Sequence, residues 1–393
     1  MAKKMVILGA GESGVGAAIL AQTKGYEVFV SDAGNIAEKY RLELDRWSIP
    51  YEAGRHNEAL LLNADEVMKS PGIPEKNELV KKIRKEGIPV ISEVELAYRH
   101  KGNSKIAAVT GSNGKTTTTA LLYHLFKTGG LDAGLVGNIG YSFARQVALD
   151  PKPWYVAEIS SFQLDDIHEF RPDVAILTNI TEDHLDRYEY RFELYIASKF
   201  RITMNQTDKD YFIYCADDPV TMANIGSRKI HANLLPFTMN NELNRGAFIK
   251  NSLMTIEAGD EKMQMSIYDF ALKGRHNQYN TMAAGIAAAT VGIRKEKIRD
   301  AIQTFESLAH RTEYVSTVRG VEFINDSKAT NVNSTWYALE SMNKPTILIL
   351  GGVDKGNDYS TMEELVKEKV KAIVCMGVDN HKIHEAFQHI VPV

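Results

Sequence analysis

Two cysteines among 393 residues, Cys215 and Cys375, are too few for a disulfide framework or a cysteine-rich zinc site. Such usage suits a reducing, cytoplasmic setting. A dominant charge sign is also missing. Lys and Arg number 46 against 50 Asp and Glu, a net charge of −4, so neither nucleic acid nor an anionic membrane is the expected partner. No uninterrupted apolar run reaches the roughly 18 residues that read as a membrane span. The one leader-like feature, Lys3-Lys4 before apolar residues, is broken by Gly9, Gly11, Glu12 and Ser13, so it reads as strand, turn and helix. Internal repeats and low-complexity tracts are absent too. What remains is 44% hydrophobic and 24% charged, the composition of a globular protein. At roughly 150 residues per domain the length fits two or three domains.

Strands and helices alternate along the chain, which predicts α/β architecture with parallel, doubly wound sheets. Residues 5–8, 27–31 and 65–69 read as strands, 17–24 and 77–86 as helices, and Arg99-His100-Lys101-Gly102-Asn103-Ser104 as a linker. A second segment opens with strand 105–110, contains buried strands at 154–159 and 174–178, and carries a small-residue helix at 281–290. A third opens with a hairpin at 314–324. Helix 333–341, strand 346–350, helix 362–368 and strand 372–376 follow. The expected boundaries are 1–100, 101–308 and 309–393.

Gly9-Ala10-Gly11-Glu12-Ser13-Gly14 follows a strand and precedes a helix, and Asp32 ends the next strand. Glycines let backbone approach an anion at a helix N-terminus, so spacing alone points to a dinucleotide. The competing readings are a packing turn or another phosphorylated ligand. Gly111-Ser112-Asn113-Gly114-Lys115-Thr116-Thr117 also joins a strand to a helix. It is a phosphate loop shortened by one glycine, since Val109 stands where the full pattern has Gly. Its amides can cradle phosphates, Lys115 supplies a point charge, and Thr116 can hold Mg²⁺. Glu158 ends an apolar strand beside this loop, a natural place for an Mg²⁺ ligand, and His184 follows another strand. Alone, Glu158 could equally cap or face solvent, and a lone His is more often structural. Both fall at carboxyl ends of parallel strands, where ligands bind. Lys199 on a helix, and the lysine of Asp326-Ser327-Lys328, read by themselves as exposed side chains. Lys355, in Gly351-Gly352-Val353-Asp354-Lys355-Gly356 after a strand, can reach an anion.

In this order the segments resemble the Mur ligases of bacterial cell-wall synthesis, along essentially the whole chain. The resemblance rests on loop 111–117 together with Glu158-Ile159-Ser160-Ser161-Phe162-Gln163-Leu164 and Thr181-Glu182-Asp183-His184-Leu185-Asp186-Arg187-Tyr188. It extends to His276-Asn277-Gln278-Tyr279-Asn280, His310-Arg311 and Asn325-Asp326-Ser327-Lys328-Ala329-Thr330-Asn331. The phosphate loop fixes only the superfamily, whereas Ser-Ser-Phe-Gln-Leu is similar to the D-glutamate-adding branch.

The resemblance implies three domains: a Rossmann-like N-terminal domain, a central P-loop mononucleotide-binding domain and a Rossmann-like C-terminal domain. The last is expected to be incomplete, because the family's third domain continues past the position of Val393. The implied activity joins D-glutamate to UDP-N-acetylmuramoyl-L-alanine through an acyl phosphate and a tetrahedral intermediate, consuming ATP. Alternatives are a different amino acid, or a UDP-sugar- and ATP-binding protein made inactive by the short third domain. The implied cofactors are ATP, Mg²⁺ at two sites, and a CO₂-derived carbamate on Lys199; a monomer is expected.

By the same resemblance, Gly111, Ser112, Asn113, Gly114, Lys115, Thr116, Thr117, Asn277, Asn280, Arg311 and Asp326 hold the nucleotide. Thr116 and Glu158 share one metal, His184 ligates the second, and carbamylated Lys199 helps. Lys328, Thr330 and Lys355 face the acyl phosphate and D-glutamate. Ser13, Gly14, Val15, Asp32, Ser70, Gly72 and Asn138 meet the UDP substrate. For the N-terminal glycines the resemblance thus favours UDP over a dinucleotide, and nothing downstream suggests hydride chemistry.

Overall fold

The computed structural model describes residues 2–259, 261–306, 310–352 and 357–393. The first five strands, β1 (Lys4–Leu8), β2 (Glu27–Asp32), β3 (Tyr51–Ala53), β4 (Glu66–Lys69) and β5 (Val90–Ile91), form a parallel sheet in the order β3-β2-β1-β4-β5. Chain direction across this sheet reverses beside β1, so the loop after β1 opens at the crevice where α/β sheets bind ligands. Helix Glu12–Thr23 starts within the glycine motif, earlier than position 17. Gly14 is needed there because a Cβ would collide with the Gly9 carbonyl.

The central sheet has nine strands: β6 (Lys105–Thr110), β7 (Ala133–Gly137), β8 (Trp154–Glu158), β9 (Val174–Leu177), β10 (Tyr211–Cys215), β11 (Asn233–Thr238), β12 (Gly246–Lys250), β13 (Leu253–Glu257) and β14 (Met263–Ser266). Their order is β14-β13-β12-β11-β10-β9-β6-β8-β7. All neighbours are parallel except β12-β13-β14, an antiparallel extension that the sequence reading passed over. The phosphate loop leaves β6, which lies between β8 and β9, again at a switch point. The small-residue helix is longer than expected, Arg275–Thr290, and takes the His276–Asn280 motif into its first turns.

The first two domains are not joined by a linker alone. Arg99 and His100 belong to helix Glu93–His100 rather than to a linker, and Arg99 is ion-paired to Glu66 and Glu95. Helix Glu12–Thr23 is buried along most of its length, and one hydrophobic core runs from Ile7 and Ala18 through Val94 to Phe143 and Tyr155. Lys69 Nζ, nearly inaccessible, lies 3.0 Å from Asp166 across the same interface and 3.0 Å from Glu75 of its own domain.

The third segment has its own smaller core of Leu339, Met362, Val366, Val370, Ile373, Ile383 and Phe387. It contains hairpin β15 (Glu313–Val318) and β16 (Val321–Asn325), helix Val332–Ser341, and the parallel pair β17 (Thr346–Gly351) and β18 (Val370–Met376). The fold is α/β throughout. Among the described residues no helix is long and apolar enough to cross a membrane.

Candidate active site

Loop 111–117 is shaped by two glycines at positive φ. Gly111 (φ 148°) passes so close to Thr178, and Gly114 (φ 79°) to Asn280, that a side chain at either position would collide. Helix Lys115–Thr128 then begins with its first amides directed into the loop. Residues after β9 hold the loop from outside. Asn179 Oδ1 accepts from the Asn113 amide at 2.9 Å, and Thr178 Oγ1 donates to the Asn113 carbonyl at 2.6 Å. Ser112 Oγ donates to the Thr181 carbonyl at 2.8 Å. Of these, Thr178 and Asn179 were not singled out from sequence, although Asn179 adjoins the motif around His184.

Beneath the loop two amines converge on one oxygen. Lys115 Nζ donates to the Gly111 carbonyl at 2.9 Å, and Lys199 Nζ donates to the same oxygen at 2.6 Å. Lys199 is 1% exposed and lies 4.5 Å from the centre of the Tyr195 ring. This corrects the expectation of an exposed helical lysine: helix Phe192–Phe200 packs this face beneath the loop. Burial, reinforced by the neighbouring Lys115 charge, holds the Lys199 amine well below its ordinary value. Lys115 is lowered by burial too, opposed by Glu158 and Asp183.

Glu158 is buried at the end of β8. Its Oε1 accepts from Asn138 Nδ2 at 2.7 Å, and its Oε2 has no hydrogen-bond partner. An orphaned carboxylate oxygen inside a protein is costly unless something binds it. Thr116 lies near by, with Arg311 Nη2 donating to its Oγ1 at 2.7 Å. Among the described residues no three His, Cys, Asp or Glu side chains form a ready-made metal cage. A single carboxylate with a hydroxyl still fits Mg²⁺, which keeps waters and is completed by phosphate oxygens. His184 stands at φ 53°, half-exposed, with its ring against Phe162 and Nε2 3.7 Å from Asp183.

A cavity of about 320 Å³ opens beside the loop, lined by both central and third domains. Asn113, Gly114, Thr117, Asn277, Asn280, Arg311 and Asp326 all border it. Asn280 also braces the loop helix by accepting from Thr118 at 3.1 Å, and Asp326 accepts the Thr312 amide at 2.9 Å. Cys215, Phe237, His276, Tyr279 and Tyr337 also line the cavity, and sequence reading did not assign them to a site. Burial pushes the Cys215 thiol up to about 12, removing it as a nucleophile, and keeps His276 neutral by lowering it to about 4.

Other expected residues stand differently. Lys328 and Thr330 are exposed on the loop after β16 and do not line this cavity. Lys355 lies outside the described residues. In the N-terminal domain Ser13 and Gly14 lie in the first turn of the helix that follows β1. Val15 is a correction: its side chain is core, and its amide donates to the Gly11 carbonyl at 2.9 Å. Asp32 accepts the amides of Ala10 at 2.7 Å and Gly34 at 2.8 Å, so both oxygens fix the loops that surround the crevice. Ser70 and Gly72 border the same crevice, and Arg187 donates to the Pro71 and Gly72 carbonyls.

Comparison with known proteins bears on this arrangement. Residues 3–92 match the Mur ligase MurD-like N-terminal domain, 109–288 the Mur ligase middle domain, and 310–392 the Mur ligase glutamate ligase domain. The chain belongs to the Mur ligase family. The UDP-N-acetylmuramoylalanine–D-glutamate ligase of Bacteroides fragilis is 52% identical over 388 residues, 99% of this chain and 87% of that protein. Its Porphyromonas gingivalis counterpart is 53% identical over 386 residues, 98% and 85% of the two chains. Among solved structures, the UDP-N-acetylmuramate-alanine ligase of Thermotoga maritima superposes with a TM-score of 0.60 at 18% identity, covering 100% of this chain and 89% of that one. A pseudomurein peptide ligase type C from Methanothermus fervidus gives 0.59 at 20% identity, covering 95% and 84%. At such identities the structural likeness speaks for the fold. It is the three-domain Mur ligase fold, and this Mur ligase is accordingly an ATP-dependent amide-forming enzyme.

Proposed function

We propose that this Mur ligase joins D-glutamate to UDP-N-acetylmuramoyl-L-alanine at the expense of ATP, in the making of peptidoglycan precursors. Two relatives more than half identical along nearly the whole chain carry that name, and this similarity carries the choice of substrates. The chemistry needs a site for several anions. A carboxylate resists nucleophiles because of its charge and poor leaving group; phosphorylation gives an acyl phosphate that an amine can attack through a tetrahedral intermediate. Bringing those anions together is mainly positioning and charge neutralisation.

In this reading the amides of loop 111–117 and Lys115 hold the β- and γ-phosphates. Arg311, Asn277, Asn280 and Asp326 border the rest of the nucleotide. Thr116 and Glu158, whose Oε2 has no partner, would hold one Mg²⁺, and His184 a second. Bound there, Mg²⁺ would neutralise phosphate charge and orient the transferred group. Burial and the neighbouring Lys115 charge lower the Lys199 amine well below its ordinary value, which favours its neutral form. A neutral amine can add to CO₂ to give a carbamate, an anion suited to a cationic site. The crevice at β1, edged by Ser13, Gly14, Ser70 and Gly72, takes the UDP end, and Asn138 lies towards the reacting carboxylate. Lys328, Thr330 and Lys355 serve the amino acid from the third domain.

The test is an amino-acid panel with ATP and UDP-N-acetylmuramoyl-L-alanine, read by mass spectrometry of the product. The expected outcome is a D-glutamate adduct in clear excess over L-glutamate, L-alanine and diaminopimelate. An adduct with another amino acid would replace D-glutamate as the substrate.

A further inference from the structure

The third domain reaches the phosphate loop through side chains that no substrate role explains. Asn113 Oδ1 accepts two hydrogen bonds from it, from Asn331 Nδ2 at 2.9 Å and from Ser334 Oγ at 2.7 Å. The Asn113 amide group faces the other way and donates to Thr181 Oγ1 at 3.2 Å. Asn331 Nδ2 is shared with Asp183 Oδ2 at 3.4 Å. Its own Oδ1 accepts the Ser334 amide at 2.8 Å, capping helix Val332–Ser341. One asparagine of the loop is thus saturated by two domains, and the cap of one helix meets both the phosphate loop and the motif around His184.

We propose that Asn331 and Ser334 are positioning residues, forming with Asn113 a latch that seats the third domain on the phosphate loop. Two features favour this over incidental contact. The third domain has its own core, separate from the one shared by the first two, so polar contacts rather than a common core fix its position. Its contacts with the central domain also ring one cavity: Arg311 on Thr116, Tyr337 against the His276 ring at 5.6 Å, and the latch itself. A cavity walled by two bodies is complete only while they are docked, so nucleotide binding and docking favour each other. Asn113 is where that coupling is transmitted, because its backbone is part of the loop and its side chain belongs to the interface.

The nucleotide half of this inference rests on the reading of loop 111–117 as a phosphate site; the docking half does not. Asn331→Asp is the sharpest variant. It keeps the oxygen that caps the helix, a residue well accepted at that position, but removes the donor and sets a carboxylate against Asp183 and Asn113. Ser334→Ala is milder and leaves the cap intact.

Small-angle scattering of the full chain without nucleotide should show a larger radius of gyration for Asn331→Asp, with an unchanged circular dichroism spectrum. Asn113→Ala should give a similar increase, and the double variant no more than either. Calorimetry with a non-hydrolysable ATP analogue should show binding weakened roughly five- to tenfold by Asn331→Asp, an effect lost when residue 113 is already Ala. Affinity for the UDP substrate should be unchanged. An unaltered radius in both Asn331→Asp and Ser334→Ala, or losses that multiply independently across the double variant, overturns the latch. Failure of the wild-type chain to bind the analogue would overturn the phosphate-loop reading instead, and scattering would still decide the latch.

Discussion

At Lys199 an amine lies beneath the phosphate loop with one carbonyl and one aromatic face as partners. Among the described residues no carboxylate lies within ion-pair distance of it. An amine held this way destabilises the fold, since burial costs it either the hydration of its charge or its proton. Lys199→Met, which keeps the volume and removes the amine, should therefore abolish turnover while raising the thermal midpoint. A gain of about 1 kcal/mol corresponds to about 2–4 °C for a unit of this size. A lower midpoint would show that the amine stabilises the fold. If it works as a carbamate, Lys199→Ala should recover part of its turnover when short carboxylates are added.

His276 offers a pH-dependent counterpart. Its ordinary value of 6.5 falls to about 4 through burial. Above about pH 6.5 the ring is neutral in folded and unfolded chains alike and contributes nothing. Between 6.5 and 4 the unfolded chain takes up a proton that the folded one refuses, so stability falls as pH drops. The loss approaches about 3 kcal/mol below pH 4. Urea unfolding at pH 7 and pH 4.5 should show a smaller difference for His276→Gln than for the parent, and equal differences would count against this assignment.

The elements were legible wherever a glycine turn joined a strand to a helix. Gly9–Gly14 and 111–117 were both readable because close backbone approach demands residues without side chains, and that demand is written in the sequence. Gly14→Ala tests it. The added methyl would meet the Gly9 carbonyl, so UDP-substrate affinity should drop at least tenfold while ATP-analogue binding persists. Equal loss of both would point to general unfolding. Less legible was β12-β13-β14. Its two-residue turn, Asn251-Ser252, has positive φ at both positions and joins Lys250 to Leu253, a recognised hairpin signal. The supposed linker at Arg99 and His100 misled because charge looked like solvent exposure; the carboxylates of Glu66 and Glu95 that absorb it come from other parts of the chain. Lys199 shows the same limit: helical spacing alone cannot say which face a loop distant in sequence will cover.

Over the whole molecule, two domains share a core and the third keeps its own. The first interface includes the buried Lys69–Asp166 pair, joined by Arg84. Asp166→Ala would leave the buried Lys69 charge to the exposed Glu75 alone, so it should cost up to about 3 kcal/mol in denaturant unfolding; a loss below about 0.5 kcal/mol would mean the pair is screened as surface pairs are. Sequence motifs contain several of the residues that line the cavity beside loop 111–117, but do not say that its wall would come from two bodies. That depends on Asn113 meeting Asn331 and Ser334 more than 200 positions away.

Assembly of these surfaces into a D-glutamate-adding ligase is tested by phosphate release from ATP by this chain with UDP-N-acetylmuramoyl-L-alanine and D-glutamate supplied separately and together. Release that requires both, matched one to one by amide product, is the predicted result. Release indifferent to either substrate, or none although both nucleotide and UDP substrate bind, would contradict it.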